Sequence, residues 1–348
     1  MKIGLFGINF GLCGDVDAMV RVARHAEESG LESLWTGEHV VLPDPQAPPS
    51  PAAPRTPMLD PSVALAHLAA VTTRVKLATG IIILPQRNPV ELAKELASVD
   101  VVSRGRLIFG LGAGYLEPEF RALGANYPER GAVTDEAIDV LRALWTQEKP
   151  SFAGRYFSFS GIDAHPRPLQ QPHPPTYALG TSRESCDFAA RHHLGCGVSY
   201  GSFESVSKAT RYYREQCAHY GWQPSPEQII YRANMLLADT DDEAQELLRK
   251  LPGQAPFSMR PGVRDAMMTL DSRNIAGEAR SPIVSGALPT TFVGGPDTVV
   301  EQVRRCREVV GAGVLDLSLH PPGSSSLDPL MRALELFGKK VLPRIRDI

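Results

Sequence analysis

A (β/α)8 barrel (TIM barrel), in a single domain over residues 1–348, is the fold class that three observations predict. Eight short apolar runs begin near residues 3, 33, 76, 107, 177, 197, 230 and 315. Segments of helical periodicity separate most of them. The runs are apolar throughout rather than alternating, as in parallel strands covered on both faces. Eight β/α units with insertions after strand 2, before strand 5 and before strand 8 suit a barrel of above-average length. A doubly wound open sheet is the competing arrangement.

Taken in order, Lys2–Phe6 is the first strand. Asp15–Ser29 has helical spacing, with Met19, Val20, Ala23 and Ala26 on one face and Gly30 as a stop. Leu31–Thr36 is the second strand and runs into Glu38-His39. Eight prolines between Pro43 and Pro61 exclude helix and inner strand, so 43–60 is a long excursion from one end of the barrel. Pro61–Val71 reads as a helix and Val75–Leu84 as a buried third strand. Asn88-Pro89, a cap followed by proline at the first helical position, opens a helix to about Val102. Arg106–Gly112 is the fourth strand and Glu136–Thr146 the helix behind it. Residues 149–175, rich in proline and aromatics, are irregular and form the second insertion.

Thr176–Leu179, Gly197–Tyr200 and Ile229–Ala238 are the next strands, alternating with helices at Ser182–His193, Glu204–His219 and Asp241–Lys250. Residues 251–290 break the rhythm as the third insertion, and their Phe257, Met259, Arg260, Met267 and Met268 are candidates to shape a pocket. Thr298–Val310 is helical, Val314–Leu319 is the eighth strand, and Leu330–Val341 is a closing helix.

Composition removes several classes of function. With 36 basic and 39 acidic residues the net charge is -3, so there is no polycationic footprint for nucleic acid. The apolar run Ile81–Leu84 falls far short of the roughly 20 residues that span a membrane. The N-terminus enters a strand with no signal-like segment. Five scattered cysteines (Cys13, Cys186, Cys196, Cys217, Cys306) lack paired or metal-type spacing and fit a reducing compartment. A cytoplasmic enzyme is the expectation.

The working face of such a barrel lies at the C-terminal ends of its strands. Thr36-Gly37-Glu38-His39 ends strand 2, and a histidine there can donate a hydrogen bond or move a proton near neutral pH. A single histidine is equally a structural hydrogen-bonder. In strand 3, Thr79-Gly80-Ile81 places glycine inside an apolar run, which marks a bulge or the close approach of something flat, with core packing as the alternative. After strand 4, Gly110-Leu111-Gly112-Ala113-Gly114-Tyr115 lets backbone N–H groups approach a planar or anionic ligand, or simply makes a tight turn. It lacks the third glycine of a dinucleotide fingerprint, and Glu117-Pro118 follow instead of a long helix.

After strand 5, Gly180-Thr181-Ser182-Arg183 leads into a helix. Hydroxyls beside a helix N-terminus suit an anion, and an ordinary cap by Ser182 explains the same residues. Arg130 can add a charge-assisted phosphate contact. His165, His173, His192, His193 and His219 have no ligand spacing, so no metal is assigned. His320 follows strand 8 and can face the site.

With these residues in place, the sequence resembles the luciferase-like superfamily of flavin- and F420-dependent oxidoreductases, (β/α)8 enzymes that include bacterial luciferase. The resemblance is carried by Ser33–His39, by Leu77–Pro85 with Asn88-Pro89-Val90, and above all by Ser103–Tyr115. Glu129-Arg130-Gly131, Gly180-Thr181-Ser182, Val293–Asp297 and Glu335-Leu336-Phe337 continue the pattern. It spans nearly the whole chain apart from 43–60 and 251–290.

The resemblance implies a redox cofactor across the strand ends, backed by a non-proline cis peptide at Gly80–Ile81 in the Thr79–Ile81 bulge. It implies His39 as the catalytic residue near the reactive ring and Gly112, Ala113, Gly114 and Tyr115 along the cofactor. Arg130, Gly180, Thr181 and Ser182 would hold its phosphate. Where luciferases have a cysteine after strand 4 this chain has glycine, so light emission is not implied.

Two chemistries are open within that family. The first half of the chain is similar to the F420 subgroup, which transfers hydride between the deazaflavin and a small organic substrate, and this is the expected reaction. The stretch Ser182–Trp222 is similar to members that use reduced FMN and dioxygen as monooxygenases, with a separate reductase supplying the reduced cofactor. A barrel that binds flavin without turnover is a third reading, opposed by His39 and the two large insertions. A homodimer is the family expectation.

Overall fold

The computed structural model describes residues 1–47, 49–199, 201–250, 291–319 and 325–348. The third predicted insertion, with Phe257, Met259, Arg260, Met267 and Met268, lies outside the described residues, as does His320.

The strands are β1 (Lys2–Phe6), β2 (Ser33–Trp35), β3 (Lys76–Ala78), β4 (Ile82–Ile83), β5 (Leu107–Gly112), β6 (Phe152–Ala153), β7 (Ser158–Phe159), β8 (Thr176–Leu179), β9 (Gly195–Ser199), β10 (Ile229–Leu237), β11 (Thr291–Gly294) and β12 (Val314–Ser318). The ring runs β12-β1-β2-β3-β5-β8-β9-β10 and closes where β10 pairs with β12, every pair parallel. The closed eight-stranded parallel barrel is therefore present, and an open sheet is excluded by the β10–β12 and β12–β1 ladders.

Around it lie α1 (Val16–Glu28), α2 (Pro61–Val71), α3 (Pro89–Val102), α4 (Glu117–Ala122), α5 (Arg130–Thr146), α6 (Arg183–Arg191), α7 (Phe203–His219), α8 (Asp241–Lys250), α9 (Pro296–Val310) and α10 (Asp328–Leu336). Capping side chains fix where several begin. Asp15 accepts from Ala18 N, Asp60 from Ser62 and Val63 N, Asn88 from Val90 N and Ser182 from Ser185 N. No helix among the described residues is long and apolar enough to cross a membrane.

Five local expectations are corrected. The third strand is two pieces, β3 and β4, because an extra residue interrupts its ladder. β11, four residues beside two glycines, adds to the upper half of β10. The irregular 149–175 stretch contains the hairpin β6–β7, whose turn is held by Glu136 accepting from Arg155, Tyr156 and Phe157 N. α4 occupies Glu117–Ala122, where no helix is expected. α5 starts at Arg130 rather than Glu136, and the Thr134 hydroxyl bonds back to Arg130 O within that first turn.

The main core fills the space between barrel and helices, whereas a second cluster lies inside the ring. Trp35, Ala78, Ile230 and Val314, with Phe6, Ile108 and Tyr177 packed on them, come from seven strands of the barrel. Gly4 makes room for Trp35, since a Cβ there would lie 2.4 Å from the indole nitrogen. One pleat further along the strands, the same inward face carries Arg232 and Asp316. The barrel thus has an apolar floor and a charged layer above it.

The opposite end is closed by polar ties, those of Arg106 buried and those of Glu27 nearer the surface. Arg106 donates to the carbonyls of Ala69, Thr72, Val75 and Ser103, capping the C-terminus of α2 with a cation. Glu27 on α1 accepts from Thr73, Arg74 and Val75 N and so holds the turn into β3. Burial works to raise the Glu27 carboxyl, but these backbone donors outweigh it and hold the group below its usual value. A folded value below the unfolded one gives stability that is present above the unfolded value and lost as pH falls through the folded one. Glu27→Gln is expected to lower stability by about 1 kcal/mol at pH 7. The difference from the parent should shrink as pH falls through the lowered folded value, as urea unfolding at neutral and at acid pH will report.

Candidate active site

The site begins at the interruption of the third strand. Ala78 pairs with Ile108 and Ile82 with Leu111, so four steps on one strand oppose three on the other, a bulge of one residue. Thr79 repairs the ladder with its side chain, its hydroxyl donating to Gly110 O at 2.7 Å and accepting from Gly110 N at 2.8 Å. The Gly80–Ile81 peptide is cis, as the family resemblance implies. Its carbonyl accepts from Arg232 Nη1 at 2.8 Å.

Arg232 in turn donates through Nε to Asp316 Oδ2 at 2.7 Å and lies 3.7 Å over the Phe6 ring. Both charged groups are buried, and burial pushes the Asp316 carboxyl up while Arg232 opposes the shift. Arg232 and Asp316 sit opposite each other in the β10–β12 register.

Glu38 and His39 leave the end of β2 in different directions. Glu38 is buried, accepts from Ile83 N at 2.5 Å and from Arg87 Nε at 3.0 Å, and so anchors the strand beyond the bulge. Arg87 also reaches Asp60 at 2.6 Å, tying down the far end of the 43–60 excursion. Burial pushes the Glu38 carboxyl up, opposed by Arg87, whose own value is raised by Glu38 and Asp60 against the effect of burial. Asn9 knits the neighbouring loops together, donating to Gly37 O and Leu59 O and accepting from Gly37 N.

His39 faces the mouth. Its N–H donates to Met58 Sδ at 3.0 Å, its Nδ1 lies 3.1 Å from Glu119 Oε2, and its Nε2 lies 3.3 Å from the Tyr115 hydroxyl. The Tyr115 ring meets the imidazole edge-on, 5.8 Å between centroids. The other oxygen of Glu119 accepts from Val40 N at 2.6 Å and Val41 N at 3.4 Å. This carboxylate is fully buried.

The predicted site residues divide into two groups. Ile81, Ala113, Gly114, Tyr115, Arg130, Gly180, Thr181 and Ser182 are partly exposed, as a cofactor-facing group must be. Thr79, Gly80 and Gly112 are buried, and the protein itself uses them. A Cβ on Gly110 would lie 2.1 Å from Thr79 O, and one on Gly112 would lie 2.4 Å from Ile81 Cδ1. These two glycines admit the bulge. Arg130 donates to Gly114 O and Tyr127 O, lies 4.0 Å over the Tyr127 ring, and thereby shapes the loop after β5. The Ser182 hydroxyl caps α6, the helix after β8, by accepting from Ser185 N, and β8 pairs with β5; the amides of the first turn have no partner within the helix.

This set fits a flat ring with a phosphate tail: half-exposed Ile81 over a pinned bulge, Tyr115 and Ala113 beside it, and a capped helix start for the anion. Sequence reasoning missed Glu119, Asn9, Arg232 and Asp316. Arg232 and Asp316 were open to discovery, because a charge inside an apolar strand needs a buried partner. Glu117-Pro118-Glu119 likewise carries the proline and acid of a helix start. Among the described residues no group of three His, Cys, Asp or Glu side chains could hold a metal.

Comparison with known proteins now identifies the class. Residues 9–313 match the luciferase-like monooxygenase family, and the chain belongs to it. It is 28% identical over 235 residues to the oxygenase component of the flavin-dependent trigonelline monooxygenase of Acinetobacter baylyi, covering 66% of this chain but only 61% of that protein. It is 27% identical over 342 residues to the F420-dependent glucose-6-phosphate dehydrogenase of Amycolatopsis mediterranei, covering 95% of each. Monooxygenase RslO1 of Streptomyces bottropensis superposes with a TM-score of 0.75 over 99% of both chains at 27% identity.

The glycine contacts give a graded expectation. Gly110→Ala presses on backbone and should cost about 3 kcal/mol of stability, the upper end for overpacking, whereas Gly112→Ala meets a movable methyl and should cost about 1 kcal/mol. Urea unfolding of the two variants measures the order.

Proposed function

We propose that the chain is the oxygenase component of a two-component flavin monooxygenase, taking reduced FMN from a separate reductase and using dioxygen to oxygenate a small organic substrate. His39, its side chain 8% exposed at the barrel mouth and held between Glu119 and Tyr115, carries the enzymatic reading, and the likeness to an oxygenase component and to monooxygenase RslO1 favours the oxygenase within it. When bound, the flavin supplies the electrons and the reaction with dioxygen, and the chain supplies position and proton handling.

In this reading Ile81 and the pinned bulge back the ring, while Ala113 and Tyr115 border it. Thr181, Ser182 and the start of α6 take the single phosphate of the mononucleotide. His39 holds or delivers a proton at Nε2, the ring nitrogen turned away from Glu119. The imidazole is buried beside Glu119 and Tyr115, which limits the access of water to it. The Acinetobacter relative, itself an oxygenase component, supports the reductase partner.

Hydride transfer with F420 is the second reading, favoured by the match that covers 95% of both chains. It would use the same residues to hold the deazaflavin and its phosphate. Anaerobic titration with reduced FMN and with F420 separates the two. Saturable binding of reduced FMN without binding of F420 supports the oxygenase, and the reverse outcome replaces it. In either chemistry His39→Ala should lower turnover by about 10²–10⁴-fold, the usual worth of a positioned acid–base group, with cofactor affinity nearly unchanged. Full turnover by that variant would remove His39 from the chemistry, and a parent that binds cofactor without any turnover would be a cofactor-holding barrel.

A further inference from the structure

We propose that Glu119 is the positioning residue for His39. Its carboxylate fixes the imidazole as the Nδ1–H tautomer and leaves Nε2 as the atom that takes and returns the proton. The inference rests on the reading that His39 handles a proton at the barrel mouth.

The geometry divides the two oxygens of Glu119 between two tasks. Oε2 accepts from His39 Nδ1 at 3.1 Å, and Oε1 accepts from Val40 N and Val41 N. One carboxylate therefore grips three consecutive residues of the chain, and the His39 amide is held separately by Met58 Sδ. With Nδ1 donating to a carboxylate, Nε2 of the neutral ring is an acceptor and receives the Tyr115 hydroxyl. Glu119 is fully buried and spends both oxygens on the protein, so it acts through His39.

Among the described residues, the groups that hydrogen-bond the ring are Glu119 from α4 and Tyr115 from the loop after β5. The adjacent Glu38 is turned to Ile83 N and Arg87. α4 is six residues long and packs its Phe120 into the core, so the carboxylate arrives on a fixed element.

Glu119→Gln separates this role from mere bracing of the loop. The amide keeps a carbonyl oxygen for Val40 and Val41 N, but presents N–H donors to Nδ1, which must then accept. The tautomer inverts while the backbone ties persist.

The test is long-range 1H–15N spectroscopy of histidine-labelled protein without cofactor, with His39→Gln assigning the signal. The parent should show Nδ1–H, and Glu119→Gln should show Nε2–H. Turnover of Glu119→Gln should fall by about 10²-fold or more at unchanged KM for the reduced cofactor, with Glu119→Asp recovering part of it. An Nε2–H tautomer in the parent overturns the proposal, even if the variant fails to fold. So does loss of turnover in Glu119→Gln with the parent tautomer retained. An inverted tautomer in Glu119→Gln, together with a fully active His39→Gln, upholds the positioning geometry and removes the functional reading instead.

Discussion

The Arg232–Asp316 pair inside the barrel is the constraint from which the rest of the site follows. A strand that bulges inward leaves its carbonyls without a ladder, and a buried carbonyl needs a donor. Arg232 Nη1 supplies it to Gly80, and Asp316 makes the buried guanidinium tolerable. Removing one partner of such a pair typically costs about 3–5 kcal/mol, because the other is left charged and dry. The charges sit one pleat above the Trp35 floor, so they set the depth of the mouth as well as the position of the bulge.

From that fixed point the two working loops are assembled outward. Glu38 secures Ile83 beyond the bulge and, through Arg87 and Asp60, the end of the 43–60 excursion. Its neighbour His39 is thereby turned to the mouth, where α4 meets it with Glu119. The glycines of β5 serve this assembly first: Gly110 and Gly112 have no room for a Cβ beside Thr79 and Ile81. What a ligand can touch is therefore the partly exposed set of Ile81, Ala113, Gly114 and Tyr115, with Gly180, Thr181 and Ser182 one strand away.

The eight barrel strands were legible because each is a dense apolar run between helix signals, and the Ser182 cap because its residue type and place agree. The bulge was legible through Gly80. α4 was not, since six residues give too little periodicity to stand out from a loop, and with it went Glu119. β11 was hidden for a similar reason, four residues running into Gly294-Gly295. The Arg232–Asp316 pairing depends on a β10–β12 register between residues 84 apart in sequence. Each residue announces a buried charge, but only the closed ring says which one answers it. The glycines after strand 4 were read as space for a ligand, and the same steric fact holds with the protein's own bulge as the occupant.

The most direct test of this account is a crystal structure of the chain with FMN bound. It should show the ring lying against Ile81 above the Arg232-held carbonyl, an edge within reach of His39 Nε2, and the phosphate at the Thr181–Ser182 start of α6. A flavin bound instead in the outer groove lined by Val16, Arg21, Arg24, His25, His67 and Met331 would contradict it. So would a ring lying at the mouth out of reach of His39.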